Sequence, residues 1–114
     1  MLNIGLEGEE EIIVSEKHLA SFAGNIGVDV LSTHCVVLLI ELAARRAIEG
    51  QLPEGHMTLG TRVAINHLSA APIGSRVRAV ARLTAIEGRK LRFHVAAYDE
   101  WDKQAEGENE QIIV

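Results

Sequence analysis

The amino-acid sequence predicts an α+β fold in which an antiparallel sheet wraps around one long buried helix. Between residues 34 and 49 apolar side chains lie on nearly every side of a helical projection, which is typical of a helix surrounded by protein. From residue 57 onward apolar and polar residues alternate with the period of a strand. The 114 residues suffice for one hydrophobic core, so we expect a single domain spanning residues 1–114.

The first half of the chain predicts one strand and two helices. Residues 12–14 mark the end of a strand, and Ser15 can cap a short helix from Glu16 to about Ala23. Ser32 or Thr33 caps the long helix, which we expect to run from residue 34 to about residue 49, before Gly50 ends it.

The second half predicts four antiparallel strands in series. One parity of the first strand holds apolar residues and a histidine, interrupted only by Thr61: Met57, Leu59, Val63, Ile65 and His67. The next two strands, joined by a hairpin at Glu87–Gly88, direct these residues inward: Val77, Ala79, Ala81, Leu83, Leu91, Phe93, Val95 and Ala97. A turn near residues 102–104 leads to a last strand through residues 112–114. One helix cannot cover both faces of such a sheet, so we expect a homodimer.

Charge and cysteine content exclude several classes of protein. The formal net charge of −5 opposes nonspecific binding to nucleic acid, which depends on neutralising phosphates. The apolar run from Cys35 to Ala44 is too short to span a membrane, and a single cysteine cannot form an internal disulfide. We therefore expect a cytoplasmic protein. Six basic residues between Arg76 and Arg92 remain compatible with a small anionic ligand.

Glu41 lies in the middle of the apolar helix, between Ile40 and Leu42. Because burying an unpaired carboxylate costs roughly several kcal/mol, Glu41 must be paired, protonated or facing a cleft. Its structural role would be to tie the helix to a neighbouring backbone or to an arginine. Its functional role would be that of a general base, or of a group that orients one.

His67 and Thr33 are the two other candidates for chemistry. The alternation of the strand directs the imidazole of His67 toward the helix, where it is either a core histidine or an acid–base catalyst. Thr33 at the helix start is either a cap or a group beside free backbone N–H groups that can hold an oxyanion. Cys35 is a small buried residue or, since helix starts activate thiols, a nucleophile. No paired spacing of His or Cys supports a metal site.

Four segments of the chain together resemble the fluoroacetyl-CoA thioesterase-like family of hot-dog proteins, and the resemblance extends from about Ile4 to the end. The segments are Val30-Leu31-Ser32-Thr33 with Glu41-Leu42-Ala43-Ala44, Met57-Thr58-Leu59-Gly60-Thr61, His67 to Gly74, and Gly88 to Phe93. Two features depart from the family pattern. His34 replaces a common proline, and Asn109 and Gln111 replace a common His and Arg.

The resemblance implies a hot-dog fold, a dimer or dimer of dimers, and two sites along the subunit interface. It implies that Thr33, Glu41 and His67 form the catalytic group, with Gly60, Ser32 and His34 contacting the substrate. The expected activity is hydrolysis of a small acyl-CoA thioester, with coenzyme A as part of the substrate and no separate cofactor. The main alternative is a hot-dog module that binds an acyl-CoA or another metabolite without turnover, and a hot-dog hydratase is a further one.

Overall fold

The chain forms a five-stranded antiparallel sheet packed against one long helix, and the computed structural model describes residues 2–114. The elements are β1 (Glu7–Ile13), α1 (Thr33–Ala47), β2 (Thr58–His67), β3 (Arg76–Glu87), β4 (Lys90–Tyr98) and β5 (Lys103–Ile113). The strand order is β1-β3-β4-β5-β2. The predicted α+β class is therefore confirmed. The four strands after the helix do not pair in chain order, however, because β2 lies at the far edge beside β5.

Helix α1 begins where the sequence predicts, because Ser32 is its N-cap and accepts a hydrogen bond from the Cys35 N–H at 3.3 Å. The helix packs chiefly against β1 and β3. Its buried residues are Val36, Leu39, Ile40, Ala43, Ala44 and Ala47. Leu38 is 54% exposed, so the expected cover on every side of the helix is absent within one chain. No helix among residues 2–114 has the length and apolar character needed to cross a membrane.

Gly8 of β1 sets the distance between the sheet and the helix. A Cβ at Gly8 would collide with the backbone of α1 at the Ala43 carbonyl and the Ala47 N–H, and a helix backbone cannot yield as a flexible side chain can. We expect Gly8→Ala to lower the free energy of unfolding by about 2–3 kcal/mol, as overpacking does. Urea unfolding measures this loss. Glu7→Ala, an exposed change on the same strand, is the control and should shift stability by less than about 0.5 kcal/mol.

The predicted short helix from Glu16 to Ala23 is wrong. Only one 3-10 turn forms, Glu16–His18, closed by a hydrogen bond from the Ser15 N–H to Nδ1 of His18 at 2.9 Å. The chain then becomes extended at Leu19, which forms a β-bridge with Leu31. This pairing across the loop replaces the helical hydrogen bonds that the local sequence favours.

A β-bulge in β2 changes which residues face the helix. The register between β2 and β5 shifts between Gly60 and Arg62, so Thr61 is an extra residue. Side chains before the bulge therefore reverse their direction, and Met57 and Leu59, predicted to face inward, are 68% and 58% exposed. Gly60 takes the inward position instead, beside its buried partner Gln111.

The hairpin of β3 and β4 follows the predicted alternation closely. All eight residues predicted to point inward are buried. The connecting turn is Gly88–Arg89, one residue later than predicted, since Glu87 still pairs with Lys90. The last strand begins at Lys103, and the sequence shows only its apolar end clearly. Its inward positions include polar Asn109 and Gln111, which hide the apolar period.

Candidate active site

The start of α1 and the end of β2 bring Thr33 and His67 together. Oγ1 of Thr33 lies 2.8 Å from Nδ1 of His67. Ser32 already supplies the helix cap, so the Thr33 hydroxyl is free to engage the imidazole. Thr33 is exposed and His67 is half-buried, which places the pair at the edge of the core, as the sequence predicts.

The environment of His67 favours its neutral form. Partial burial lowers the pKa of His67 below the ordinary value of 6.5, because desolvation penalises the charged imidazolium. A neutral imidazole has one nitrogen that accepts a hydrogen bond and one that donates. When Nδ1 is the acceptor, it can take the proton of the Thr33 hydroxyl.

Glu41 faces Gly60 across the gap between α1 and β2. A Cβ at position 60 would collide with Oε2 of Glu41, so a larger residue there would force this carboxylate to move away. Glu41 is half-buried, and its carboxylate forms no hydrogen bond or salt bridge with any residue from 2 to 114. The tie to a neighbouring backbone or arginine, which was its structural alternative, is therefore absent from this part of the chain.

A buried chain of polar side chains supports the bulge below Glu41. Thr58 donates to Oε1 of Gln111 at 2.6 Å, and Gln111 donates to Oδ1 of Asn109 at 2.7 Å. Asn109 in turn donates to the backbone carbonyl of Arg62 at 3.0 Å. These bonds hold the bulged strand and so fix Gly60 against Glu41. Sequence reasoning noted Asn109 and Gln111 only as departures from a family pattern and did not assign them this role.

Within one chain the predicted catalytic residues form two separate pairs. Eight residues of helix separate Thr33 from Glu41, which corresponds to about 12 Å along the axis. Among residues 2–114 no hydrogen bond joins Glu41 to His67. The Thr33–His67 contact and the Glu41–Gly60 contact are therefore separate among residues 2–114, and one catalytic group at the subunit interface stays a prediction.

The predicted substrate-contacting residues differ in their exposure. His34 is exposed beside Thr33, and Gly60 is half-buried. Ser32 was predicted to contact the substrate, but it is only 3% exposed and its hydroxyl caps the helix. Its side chain is therefore closed to a substrate. Cys35 packs with Leu38 and Leu39 around a small apolar cavity, which agrees with the role of a small hydrophobic residue.

A larger cavity of about 570 Å³ begins one helical turn beyond Glu41. It lies between the end of α1 and the loop that precedes β2, and its lining includes Arg45, Leu52, His56, Met57 and Thr58. Thr58 connects this cavity to the polar chain below Gly60. No group of three metal-ligating side chains lies together among residues 2–114.

Two solved proteins of the thioesterase class share the fold of this chain. A Thermus thermophilus hypothetical protein, a thioesterase superfamily member, matches with a TM-score of 0.90 and 35% identity over 98% of this chain and 83% of its own. The solved fluoroacetyl-CoA thioesterase FlK matches with a TM-score of 0.92 and 26% identity over 100% of this chain and 89% of its own. A variant of FlK has also been solved in complex with acetyl-CoA. The predicted hot-dog fold is confirmed.

The family model described as FlK, fluoroacetyl-CoA-specific thioesterase, matches residues 14–114. The chain belongs to this family, as the sequence resemblance predicts. The fluoroacetyl-CoA thioesterase of Streptantibioticus cattleyicolor is 35% identical over 86 residues, which cover 75% of this chain. The matched region spans 62% of the length of that enzyme.

Proposed function

We propose that this protein hydrolyses a small acyl-CoA thioester to the free acid and coenzyme A. The observation that carries the proposal is the 2.8 Å contact between the Thr33 hydroxyl and a neutral His67, together with an unpaired Glu41 carboxylate facing Gly60. A hydroxyl, a base and a carboxylate are the groups that acyl transfer requires. Membership of the FlK family and the thioesterase relatives support the same activity.

In the proposed reaction a nucleophile attacks the thioester carbonyl, and a base removes the proton of the nucleophile when it is water or a hydroxyl. The nucleophile is water, the Thr33 hydroxyl or the Glu41 carboxylate, and in the second case Nδ1 of His67 accepts the proton. Backbone N–H groups at the start of α1 or near Gly60 hold the carbonyl oxygen as it becomes an anion. Collapse of the tetrahedral intermediate breaks the C–S bond, and the departing thiolate of coenzyme A takes up a proton. With water as the nucleophile this step gives the free acid; with Thr33 or Glu41 it leaves an acyl-enzyme, which a water molecule then hydrolyses to the free acid.

We infer that the active site is completed by a second copy of the chain. Strand β2 is an edge strand, so its outer backbone groups are open to pairing with the same strand of another subunit. An antiparallel pairing centred between Val63 and Ala64 sets Gly60 near His67 of the partner subunit. This brings the Glu41–Gly60 pair of one subunit to the Thr33–His67 pair of the other, giving two equivalent sites in a homodimer.

Arg45 is the proposed contact for the phosphates of coenzyme A. The basic residues between 76 and 92, which the sequence left open to an anion, largely pair with acids on the outer face of the sheet. These salt bridges are Arg76–Glu11, Arg78–Glu9, Lys90–Glu110 and Arg92–Glu108. Arg45 is exposed at the 570 Å³ cavity and forms no salt bridge with residues 2–114, so its charge is available.

Coenzyme A enters as part of the substrate, and no separate cofactor is proposed. The proposed location is the cytoplasm.

A panel of acyl-CoA substrates, followed by release of free thiol, tests the proposed activity. Turnover of at least one short-chain thioester is the expected result. Binding of the same thioesters without thiol release, measured by calorimetry, would refute hydrolysis and favour the non-catalytic alternative.

The pH dependence of kcat/KM should reflect the lowered pKa of His67. A base must be deprotonated to act, so activity is lost as the pH falls through the pKa of this imidazole. Because burial lowers that pKa, we expect the acid limb of the profile below pH 6.5. An acid limb above pH 6.5, measured with the preferred thioester, would contradict this assignment.

A further inference from the structure

Two buried polar atoms in the described part of the chain have no hydrogen-bond partner: Nε2 of His67 and Oε1 of Gln104. Buried polar atoms without partners are uncommon in folded proteins and call for an explanation. The two residues lie on neighbouring strands. His67 pairs with Ala105, and the Leu68 N–H donates to the backbone carbonyl of Gln104 at 2.7 Å.

A bulge in β5 directs Gln104 to the same side of the sheet as His67. The register between β4 and β5 passes from Ala97–Ala105 to Tyr98–Lys103, so Gln104 is the extra residue. Lys103 and Glu106 form a salt bridge of 2.9 Å on the outer side. Gln104 and Ala105 between them are both fully buried. Gln104 therefore shares the inner side with the pairing partner of His67.

Asp99 determines the orientation of the Gln104 amide. Oδ1 of Asp99 accepts hydrogen bonds from the backbone N–H groups of Trp101 at 2.8 Å and Asp102 at 2.6 Å. Its Oδ2 accepts from Nε2 of Gln104 at 2.9 Å. A carboxylate only accepts hydrogen bonds, so the NH₂ group of Gln104 must face Asp99 and its carbonyl oxygen must face away.

We propose that Asp99 and Gln104 are positioning residues that hold His67 in the Nε2–H tautomer. The Nε2–H group donates to Oε1 of Gln104, directly or through one water, and each orphaned atom thereby gains the partner it lacks. Nδ1 is then the acceptor that faces the Thr33 hydroxyl at 2.8 Å. The effect on catalysis rests on the proposed function, whereas the tautomer itself does not.

Nitrogen NMR of protein labelled with ¹⁵N-histidine measures the tautomer directly, with His67→Ala assigning the signal. We expect the Nε2–H form in the unaltered protein and a loss of this preference in Gln104→Leu. Asp99→Asn is the sharper test. In this variant the side-chain oxygen of residue 99 must still accept the two backbone N–H groups. The new NH₂ group therefore faces Gln104, whose own amide must turn so that its oxygen accepts from it. His67 should then shift toward the Nδ1–H form.

Asp102→Asn is the matched control, since Asp102 is an exposed carboxylate in the same turn as Asp99 and should leave the His67 signal unchanged. In Asp99→Asn we expect kcat to fall about tenfold with KM unchanged, as the loss of one buried hydrogen bond would produce. An Nδ1–H tautomer in the unaltered protein, or the same tautomer in all variants, would overturn the proposal. A switched tautomer with unchanged kcat would overturn its catalytic part. An unaltered protein that is inactive but holds His67 in the Nε2–H form would refute only the hydrolase function. If Gln104→Leu does not fold, Asp99→Asn alone tests the proposal.

Discussion

Glu41→Gln should lower kcat by at least about a hundredfold while leaving KM nearly unchanged. The amide keeps the size of the carboxylate beside Gly60, so packing is retained. It cannot remove a proton or attack a carbonyl, however. Steady-state thiol release with the preferred acyl-CoA measures the loss.

Glu87→Gln provides the control for Glu41→Gln. Glu87 is exposed at the end of β3, and the same change of charge there should leave kcat unaltered. Full activity in a folded Glu41→Gln protein would remove Glu41 from the mechanism and return it to a structural role.

His67→Ala should also reduce kcat by about a hundredfold or more, because the Thr33 hydroxyl loses the only base within hydrogen-bond distance among residues 2–114 of its subunit. The pH dependence below neutrality should disappear together with the imidazole. The profile of kcat/KM for both proteins measures the two effects at once.

His94→Ala serves as the matched substitution for His67→Ala. His94 lies on the exposed face of β4, where it pairs with Glu106 at 3.5 Å. Its removal should change neither kcat nor the acid limb. If His94→Ala and His67→Ala behave alike, the imidazole of His67 is not the base.

The regular parts of the fold could be predicted because their burial follows a simple period. From Val77 to Leu83 of β3 and from Leu91 to Ala97 of β4 every second residue packs against the core, and the apolar side chains in the sequence show that period directly. The bulges in β2 and β5 could not be predicted. Each adds one residue and reverses the inward parity, and nothing in the residue types at Thr61 or Gln104 marks the shift.

The sequence indicates which residues to examine as a candidate site but not how they are arranged. Thr33 and His67 meet because the helix start and the strand end are neighbours, which the pattern of elements allows one to expect. Gly60 faces Glu41 only because of the bulge in β2. The alternation in the sequence puts Leu59, not Gly60, on the inner face of the strand. The spacing of Thr33 and Glu41 along α1 follows from the sequence, but the position of His67 beside Thr33 follows only from the packing of β2 against the helix.

We propose that Glu41 of one subunit acts with Thr33 and His67 of the other, and complementation between two inactive variants tests this pairing. Glu41→Gln and His67→Ala chains carrying different affinity tags are refolded together, and the mixed dimers are purified. One of the two sites in each mixed dimer then contains every intact group. The purified mixed dimers should recover about half of the original activity, because one of their two sites works, and an unfractionated equimolar mixture about a quarter, because half of its dimers are mixed. Purified mixed dimers as inactive as either parent would show that the site lies within a single chain and would contradict the account.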